Sequence, residues 1–303
     1  MENVIVNGEN YIFISNYKHD SELRYRFNAL TQQVYQFDFE KWYDSGYWAD
    51  NCLLYSLMAD DKVVSHITVS VIDFIILGEH QRFVQLGTVM TDEQYRNQGL
   101  SRVLLEKVLE EWTSKCDMIY LYANDSVLDF YPKFGFVPVD EYQASAKITT
   151  NERAYAVRKM DMESDSDRKL LYETAKHTVG LFDITMQDNA GLVMFYSHYF
   201  DPFSVKDNLF YIEELNAIAV AEVEGITLIV YDVLATRNIE IEEVLNALAS
   251  EGTEDVILRC MPVENEEYEI SLFKEEDSTL MVMADKKEIF QHNKLIFPML
   301  SHT

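Results

Sequence analysis

An arginine, a glycine and a serine stand close together in the segment Arg-Asn-Gln-Gly-Leu-Ser, which runs from Arg96 to Ser101. An apolar run ends before this segment at Met90, and an amphipathic pattern begins at Leu100. The first turn of a helix presents unpaired N–H groups and a partial positive charge, which suit a phosphate. Gly99 permits close approach of the backbone, and Arg96 adds a cation. The segment predicts a pyrophosphate-binding loop, although ordinary glycine-containing loops share so short a spacing.

The surrounding periodicities predict the elements that position this loop. A strand over residues 83–90 precedes it, an amphipathic helix over 100–112 follows, and a buried strand over 118–122 comes next. We expect a second helix over residues 127–134. Upstream, a strand over 11–15 precedes a helix that Asp20 or Ser21 can cap, and residues 53–58 and 63–71 form a hairpin. This order predicts a mixed α/β fold with a parallel strand pair at its centre.

A second distinctive stretch begins at Asn124 and ends at Phe136, with the sequence Asn-Asp-Ser-Val-Leu-Asp-Phe-Tyr-Pro-Lys-Phe-Gly-Phe. Together the two stretches resemble the GNAT superfamily of acyl-CoA-dependent N-acyltransferases. That family has R/Q-x-x-G-x-G/A after a central strand and N-x-x-A-x-x-F/L-Y-x-x-x-G-F after the next strand. The resemblance is specific over residues 85–137 and extends plausibly to residues 1–160. It implies a GNAT fold and acetyl-CoA as co-substrate, with no metal.

The resemblance also implies roles for individual residues. Ser101 stands where the family has Gly or Ala, and Val127 stands where it has Ala. Tyr131 matches the general acid that protonates the departing thiolate, for which a phenol with a pKa near 10 is suited; the alternative is a packed ring with a satisfied hydroxyl. The residues implied to bind the cofactor are Val89, Met90, Thr91, Arg96, Asn97, Gln98, Gly99, Leu100, Ser101, Asn124 and Tyr131.

The implied reaction is direct transfer of an acetyl group to a primary amine of a small cationic molecule or peptide. The central strand, residues 83–90, carries no acidic residue, so the general base stays unassigned, with Asp73, Glu79 and Asp125 as candidates. Aromatic rings and carboxylates between residues 37 and 48 suit an organic cation, although the rings can equally serve as packing. The expected acceptor-binding residues are Phe39, Trp42, Tyr43 and Trp48, near the carboxylates of Asp38, Glu40 and Asp44.

A charged segment over residues 161–167 marks the expected domain boundary. We therefore predict an acetyltransferase domain over 1–162 and a degenerate GNAT-like domain over 163–303. In the second half no glycine follows Arg237, and Glu240 would repel a phosphate. We expect this half to close the acceptor site or to form a homodimer interface rather than to bind CoA. The tail over residues 297–303 is expected to be a packed strand, or else to bring its terminal carboxylate to the site as a base.

The composition indicates which classes of molecule the protein can bind. The formal charge of −27 disfavours nucleic acid and anionic membranes and favours cationic ligands. The start lacks a secretory pattern, and no apolar run reaches the ~18 residues of a membrane span. Cys52, Cys116 and Cys260 lie far apart, which is typical of reduced thiols in a cytoplasmic protein. The alternative to an enzyme is a non-catalytic acyl-CoA-binding sensor or regulatory module.

Overall fold

The computed structural model describes residues 1–148, 155–200 and 204–302. The strands, numbered in chain order, are β1 (Glu2–Val6), β2 (Glu9–Ser15), β3 (Cys52–Ala59), β4 (Lys62–Ile76), β5 (Glu79–Thr91), β6 (Met118–Ala123), β7 (Phe136–Pro138), β8 (Glu141–Lys147), β9 (Val157–Lys159), β10 (Ile184–Gln187), β11 (Leu209–Ile212), β12 (Ala217–Glu224), β13 (Thr227–Ala235), β14 (Asp255–Leu258), β15 (Glu269–Phe273) and β16 (Thr279–Met283). The α-helices are α1 (Ser21–Tyr35), α2 (Glu40–Asp44), α3 (Leu100–Trp112), α4 (Asp165–Lys176), α5 (Ala190–Met194), α6 (Ile241–Leu248) and α7 (Lys287–Asn293).

The first sheet has the strand order β1-β2-β3-β4-β5-β6-β16-β7, and β10 pairs with the far end of β4. Its neighbouring strands are antiparallel except β5 and β6, which run parallel and are joined through α3. The predicted strand–helix–strand unit and the mixed α/β fold are therefore confirmed. The parallel pair places the end of β5, the start of α3 and the end of β6 near one another.

The second sheet has the order β15-β8-β14-β13-β12-β11-β9. It repeats the plan of the first, because its parallel pair, β13 and β14, is joined through α6. In each sheet the strand beside that pair comes from the other half of the chain: β16 lies against β6, and β8 lies against β14. The halves are thus interlocked by exchanged strands. The proposed division at residues 162 and 163 stays a prediction.

Helix α1 shows how local chemistry sets the element boundaries. The Asp20 side chain accepts hydrogen bonds from the N–H groups of Glu22 and Leu23, so Asp20 is the cap. The helix ends at Gln36, whose φ of 63° is left-handed. Its buried face, which includes Phe27 and Leu30, packs into a core shared with the second half of the chain. Within the described part of the chain, no helix combines the length and apolarity needed to cross a membrane.

Three local predictions were wrong. Residues 127–134 do not form a helix, because Pro132 lacks an N–H and Gly135 adopts a φ of 90°; 3₁₀ turns span Asp125–Val127 and Tyr131–Phe134 instead. The apolar pattern over residues 209–222 predicts one strand before Gly225, but these residues are divided into β11 and β12 by a turn that contains Asn216, whose φ is 48°. The tail forms a 3₁₀ turn over Met299–Ser301 instead of a strand. Thr303, with its terminal carboxylate, lies outside the described residues.

Gly191 in α5 is a point of close backbone approach. A Cβ at this position would lie 2.2 Å from the carbonyl oxygen of Tyr47, and the Gly191 carbonyl accepts a hydrogen bond from the Trp42 indole. We expect Gly191→Ala to lower the free energy of unfolding by about 3 kcal/mol, because backbone must move. Gly180→Ala is the control, since its Cβ would meet only side-chain atoms at 3.4 Å. Urea unfolding that is equal for both variants would contradict this packing.

Candidate active site

Strands β5 and β6 part at one end and open a cleft. Their parallel pairing extends only from Phe83 with Met118 to Leu86 with Leu121. Beyond it, β5 carries an extra residue, because Thr88 and Val89 together lie opposite one residue of β4. Thr88 takes a φ of 40°, which is typical of a bulge. The bulge turns the end of β5 away from β6 and leaves its backbone edge facing the cleft.

The predicted phosphate loop closes one end of this cleft. Gly99 caps α3 with a φ of 85°, and no side chain bonds the first-turn N–H groups. Those groups therefore stay available to an anion. The side chains of Arg96, Arg102 and Lys133 line the same cavity and add positive charge. A Cβ at Gly99 would approach protein atoms no closer than 3.9 Å, so the left-handed backbone is what favours glycine.

The loop is held by polar contacts on both sides. The Ser101 and Thr91 hydroxyls lie 2.7 Å apart, joining the end of β5 to the first turn of α3. Gln98, predicted to bind the cofactor, does not line the cavity. Its side chain accepts a hydrogen bond from the Tyr11 hydroxyl at 2.8 Å, and its carbonyl accepts one from Asn7 at 2.8 Å. Gln98 thus ties the loop to the first two strands.

Tyr131 and Asn124 line the opposite wall of the cavity. The Tyr131 ring is 5 % exposed and packs against Phe130 and Phe136. Among the described residues its hydroxyl has no hydrogen-bond partner, and burial raises the pKa of Tyr131 above its usual value. The phenol therefore keeps its proton at neutral pH. The Asn124 amide N–H groups donate to Asp277 at 3.1 Å, which leaves the amide oxygen available.

The cavity, of about 1240 Å³, brings together most of the residues predicted from the sequence. Gln98, Tyr43 and Trp48 are the predicted residues that do not line it. Trp48 stacks on Trp42, and Tyr43 lies under the Arg24 guanidinium. The predicted residues on its wall are Val89, Met90, Thr91, Arg96, Asn97, Gly99, Leu100, Ser101, Asn124, Tyr131, Phe39 and Trp42.

Aromatic rings from both halves of the chain form the other end of the cavity. Phe39 and Trp42 meet Phe195, whose ring centroid lies 5.4 Å and 4.7 Å from theirs. Tyr196 and Phe200 complete this ring-lined end. The carboxylates expected there are turned elsewhere: Asp38 and Glu40 bond to nearby backbone and side-chain groups, and neither they nor Asp44 line the cavity.

The candidate bases also lie away from the cavity. Asp73 forms an ion pair with Arg82 at 2.7 Å, and the Asp125 backbone N–H bonds Asp277. Neither these residues nor Glu79 belong to the lining. Instead, lining residues that the sequence analysis did not identify come from distant parts of the chain: Thr68, Thr88, Tyr122, Ser278 and His302.

A buried chain of hydrogen bonds reaches the bulge of β5 from the protein interior. Tyr17 contacts Ser56 at 2.6 Å, Ser56 contacts His66 at 2.8 Å, and His66 contacts Thr68 at 2.9 Å. The Thr68 hydroxyl in turn bonds the Thr88 hydroxyl. Each hydroxyl here is satisfied, so the chain fixes the side chain of Thr88 at the cavity wall.

Burial lowers the pKa of His66 from 6.5 to about 3. Unfolded His66 binds a proton below pH about 6.5, whereas folded His66 stays neutral, so acid favours the unfolded state. We expect the free energy of unfolding to fall, through this residue, by at most about 1.4 kcal/mol per pH unit below 6.5. His66→Gln should reduce the loss between pH 7 and pH 4.5 in urea unfolding. An equal loss of unfolding free energy in the wild-type protein and the variant would show that His66 does not cause the acid sensitivity.

Solved structures share this fold over most of the chain. A protein of unknown function from Enterococcus faecalis V583, described as a probable N-acyltransferase, is 10% identical and aligns over 90% of this chain and 71% of its own, with a TM-score of 0.61. Eis1 from Mycobacterium abscessus is 9% identical and aligns over 89% of this chain and 72% of its own, with a TM-score of 0.55. A GCN5-related N-acetyltransferase from Kribbella flavida is 14% identical and aligns over 90% of this chain and 70% of its own, with a TM-score of 0.53. At such low sequence identity, the similarity shows a shared fold alone.

No protein with a curated functional description matches the sequence significantly. The model of the acetyltransferase (GNAT) family matches residues 19–136, which contain β5, α3, β6 and both motifs. The match thus covers the segment in which the cleft, the anion-binding loop and Tyr131 lie. Residues 19–136 of this chain thus match the acetyltransferase (GNAT) family, and they carry the cleft and Tyr131.

Proposed function

We propose that the protein transfers an acetyl group from acetyl-CoA directly to a primary amine of a small cationic molecule or peptide. The observation that carries this proposal is one cavity that joins an anion-binding loop, the unpaired edge of β5, Tyr131 and a ring-lined end. The loop suits the pyrophosphate, and the β5 edge suits the amide groups of the pantetheine arm. The ring-lined end is then where the acceptor binds.

The residues in this cavity supply the parts that direct transfer needs. Arg96 and the first-turn N–H groups of α3 hold the phosphates and so fix the position of the thioester. A backbone N–H near Met90 polarises the thioester oxygen as the amine attacks. Tyr131 then donates its proton to the sulfur as the carbon–sulfur bond breaks. In this assignment no covalent acyl-enzyme is formed.

The rings at the ring-lined end are suited to a cationic acceptor. Rings bind an ammonium group through cation–π contacts, and the formal charge of −27 attracts cations toward the protein. Since Asp38, Glu40 and Asp44 do not line the cavity, we assign this contact to the rings of the ring-lined end. Phe195, Tyr196 and Phe200 belong to the second half of the chain, which we propose closes the acceptor site.

A screen of primary amines for thiol release from acetyl-CoA tests this proposal. We expect release above the rate without amine, with one acetylated product per thiol measured by mass spectrometry. Aromatic monoamines should exceed polyamines, because the ring-lined end offers rings to a cation, while the lining carboxylate Asp129 comes from the segment that carries Tyr131. Binding of acetyl-CoA without transfer to any amine would favour a non-catalytic sensor.

A further inference from the structure

A buried carboxyl group lies directly behind the wall of the cavity. Glu141, the first residue of β8, is 8 % exposed. Its Oε1 accepts hydrogen bonds from the Tyr122 hydroxyl at 3.1 Å and from the Phe297 N–H at 2.9 Å. No lysine or arginine of the described residues forms an ion pair with it. Burial of a carboxylate without a cation is costly, so this group calls for a functional explanation.

Tyr122 connects this carboxyl group to the cavity. It follows Leu121, the last residue of β6 that pairs with β5, so it stands where the two strands part. Tyr122 lines the cavity, and its ring stacks on His302 with 4.0 Å between centroids. Its hydroxyl is directed to Glu141. One face of the residue thus borders the acceptor space while its hydroxyl contacts the carboxylate.

We propose that Tyr122 and Glu141 together accept the proton that the incoming ammonium group must lose before it attacks. This inference rests on the proposed function and supplies its missing base. The nitrogen–hydrogen bond breaks, and the proton passes to the Tyr122 oxygen while the phenolic proton passes to Glu141 Oε1. An ammonium and a carboxylate become a neutral amine and a carboxylic acid, and the phenol is regenerated. During attack the second proton passes from the nitrogen to solvent water, and Tyr131, which becomes a phenolate when it gives its proton to sulfur, is reprotonated from solvent, so that the protons balance.

The charges around the pair agree with this role. Burial raises the pKa of Glu141 to about 7, while hydrogen bonds from Phe297 and Tyr122 oppose the rise. Glu275, an exposed residue, raises it further. Burial also lowers the pKa of His302 to about 4 and raises those of Tyr120, Tyr122 and Tyr196, so these groups are neutral at pH 7. A base with a pKa near the working pH is the most effective.

Two amines of the same shape separate proton removal from binding. 2-Phenylethylamine is an ammonium ion at pH 7, whereas O-benzylhydroxylamine is neutral because oxygen withdraws electrons from its nitrogen. In Glu141→Gln the amide oxygen can still accept both hydrogen bonds, so the fold is kept. We expect this variant to lower kcat/KM for 2-phenylethylamine about 10²-fold at pH 7, with little change for O-benzylhydroxylamine. Tyr122→Phe, which keeps the ring, should show the same selectivity.

Glu111→Gln is a matched control, because Glu111 accepts a hydrogen bond from Tyr55 at 2.9 Å and neither residue lines the cavity. It should alter neither rate. Equal losses on both amines in Glu141→Gln would overturn the proposal and leave the proposed function standing, as would an unchanged rate on 2-phenylethylamine. Failure of the wild-type protein to acetylate either amine would overturn the proposed function and this proposal with it.

Infrared spectroscopy tests the carboxyl group without any acceptor. We expect the wild-type protein to gain protonated-carboxyl absorption as the pH falls through about 7. Glu141→Gln should lose the Glu141 part of this absorption and keep the part from Asp232, whose pKa burial also raises to about 7. A Glu141 band that appears only near pH 4.3, the usual range of glutamate, would overturn the proposal.

Discussion

Tyr131→Phe is expected to lower kcat about 10²-fold while the affinity for acetyl-CoA is retained. The ring is packed against Phe130 and Phe136, and phenylalanine preserves this packing. The hydroxyl has no partner among the described residues, so its removal leaves no buried group unpaired. What is lost is the proton for the departing thiolate. Steady-state thiol release and calorimetric titration measure the two quantities separately.

Tyr95→Phe provides the comparison, because Tyr95 also lines the cavity but has no assigned chemical role. Its kcat should stay near that of the wild-type protein. A Tyr131→Phe variant with normal turnover would show that another group, or water, protonates the sulfur. A variant that no longer binds acetyl-CoA would instead assign Tyr131 to cofactor binding.

Arg96→Glu is expected to weaken acetyl-CoA binding at least about 10²-fold, the equivalent of about 2.7 kcal/mol. Arg96 lines the cavity beside the first turn of α3, and its reversal places a carboxylate beside the pyrophosphate. Equilibrium dialysis at low and high salt gives the affinities. The difference from wild type should shrink as salt screens the charges.

Arg26→Glu is the matched charge reversal, because Arg26 lies on α1, pairs with Glu22 and does not line the cavity. Its acetyl-CoA affinity should fall far less. Equal losses in both variants would mean that net charge, rather than the loop, governs binding.

The loop end of the cavity, where we propose that the cofactor binds, could be predicted because its residues are close in sequence. Arg96, Gly99 and Ser101 lie within one loop and one helical turn, and the chemistry of a helix N-terminus is local. The element types around them follow from periodicity for the same reason. Tyr131 lines the cavity although the helix predicted around it is replaced by 3₁₀ turns, and its role as the acid stays a prediction.

The ring-lined end, where we propose that the acceptor binds, could not be predicted because tertiary contacts create it. Phe195 and His302 reach the cavity only through the packing of the second half of the chain on the first, and no local pattern marks them. The partnership of Tyr122 with Glu141 depends on where β8 leaves the first sheet for the second. Of the aromatic residues predicted to bind the acceptor, Phe39 and Trp42 line the cavity, whereas Tyr43 and Trp48 pack against neighbours.

Calorimetric titration of the wild-type protein with acetyl-CoA is the most direct test of the central claim, that the cleft between β5 and β6 with the α3 loop holds this molecule. We predict saturable binding of one molecule per chain at micromolar affinity, which is lost when Arg96→Glu is titrated in parallel. Absence of heat and of binding by the wild-type protein would contradict the account, since the loop would then be a structural feature without a cofactor role.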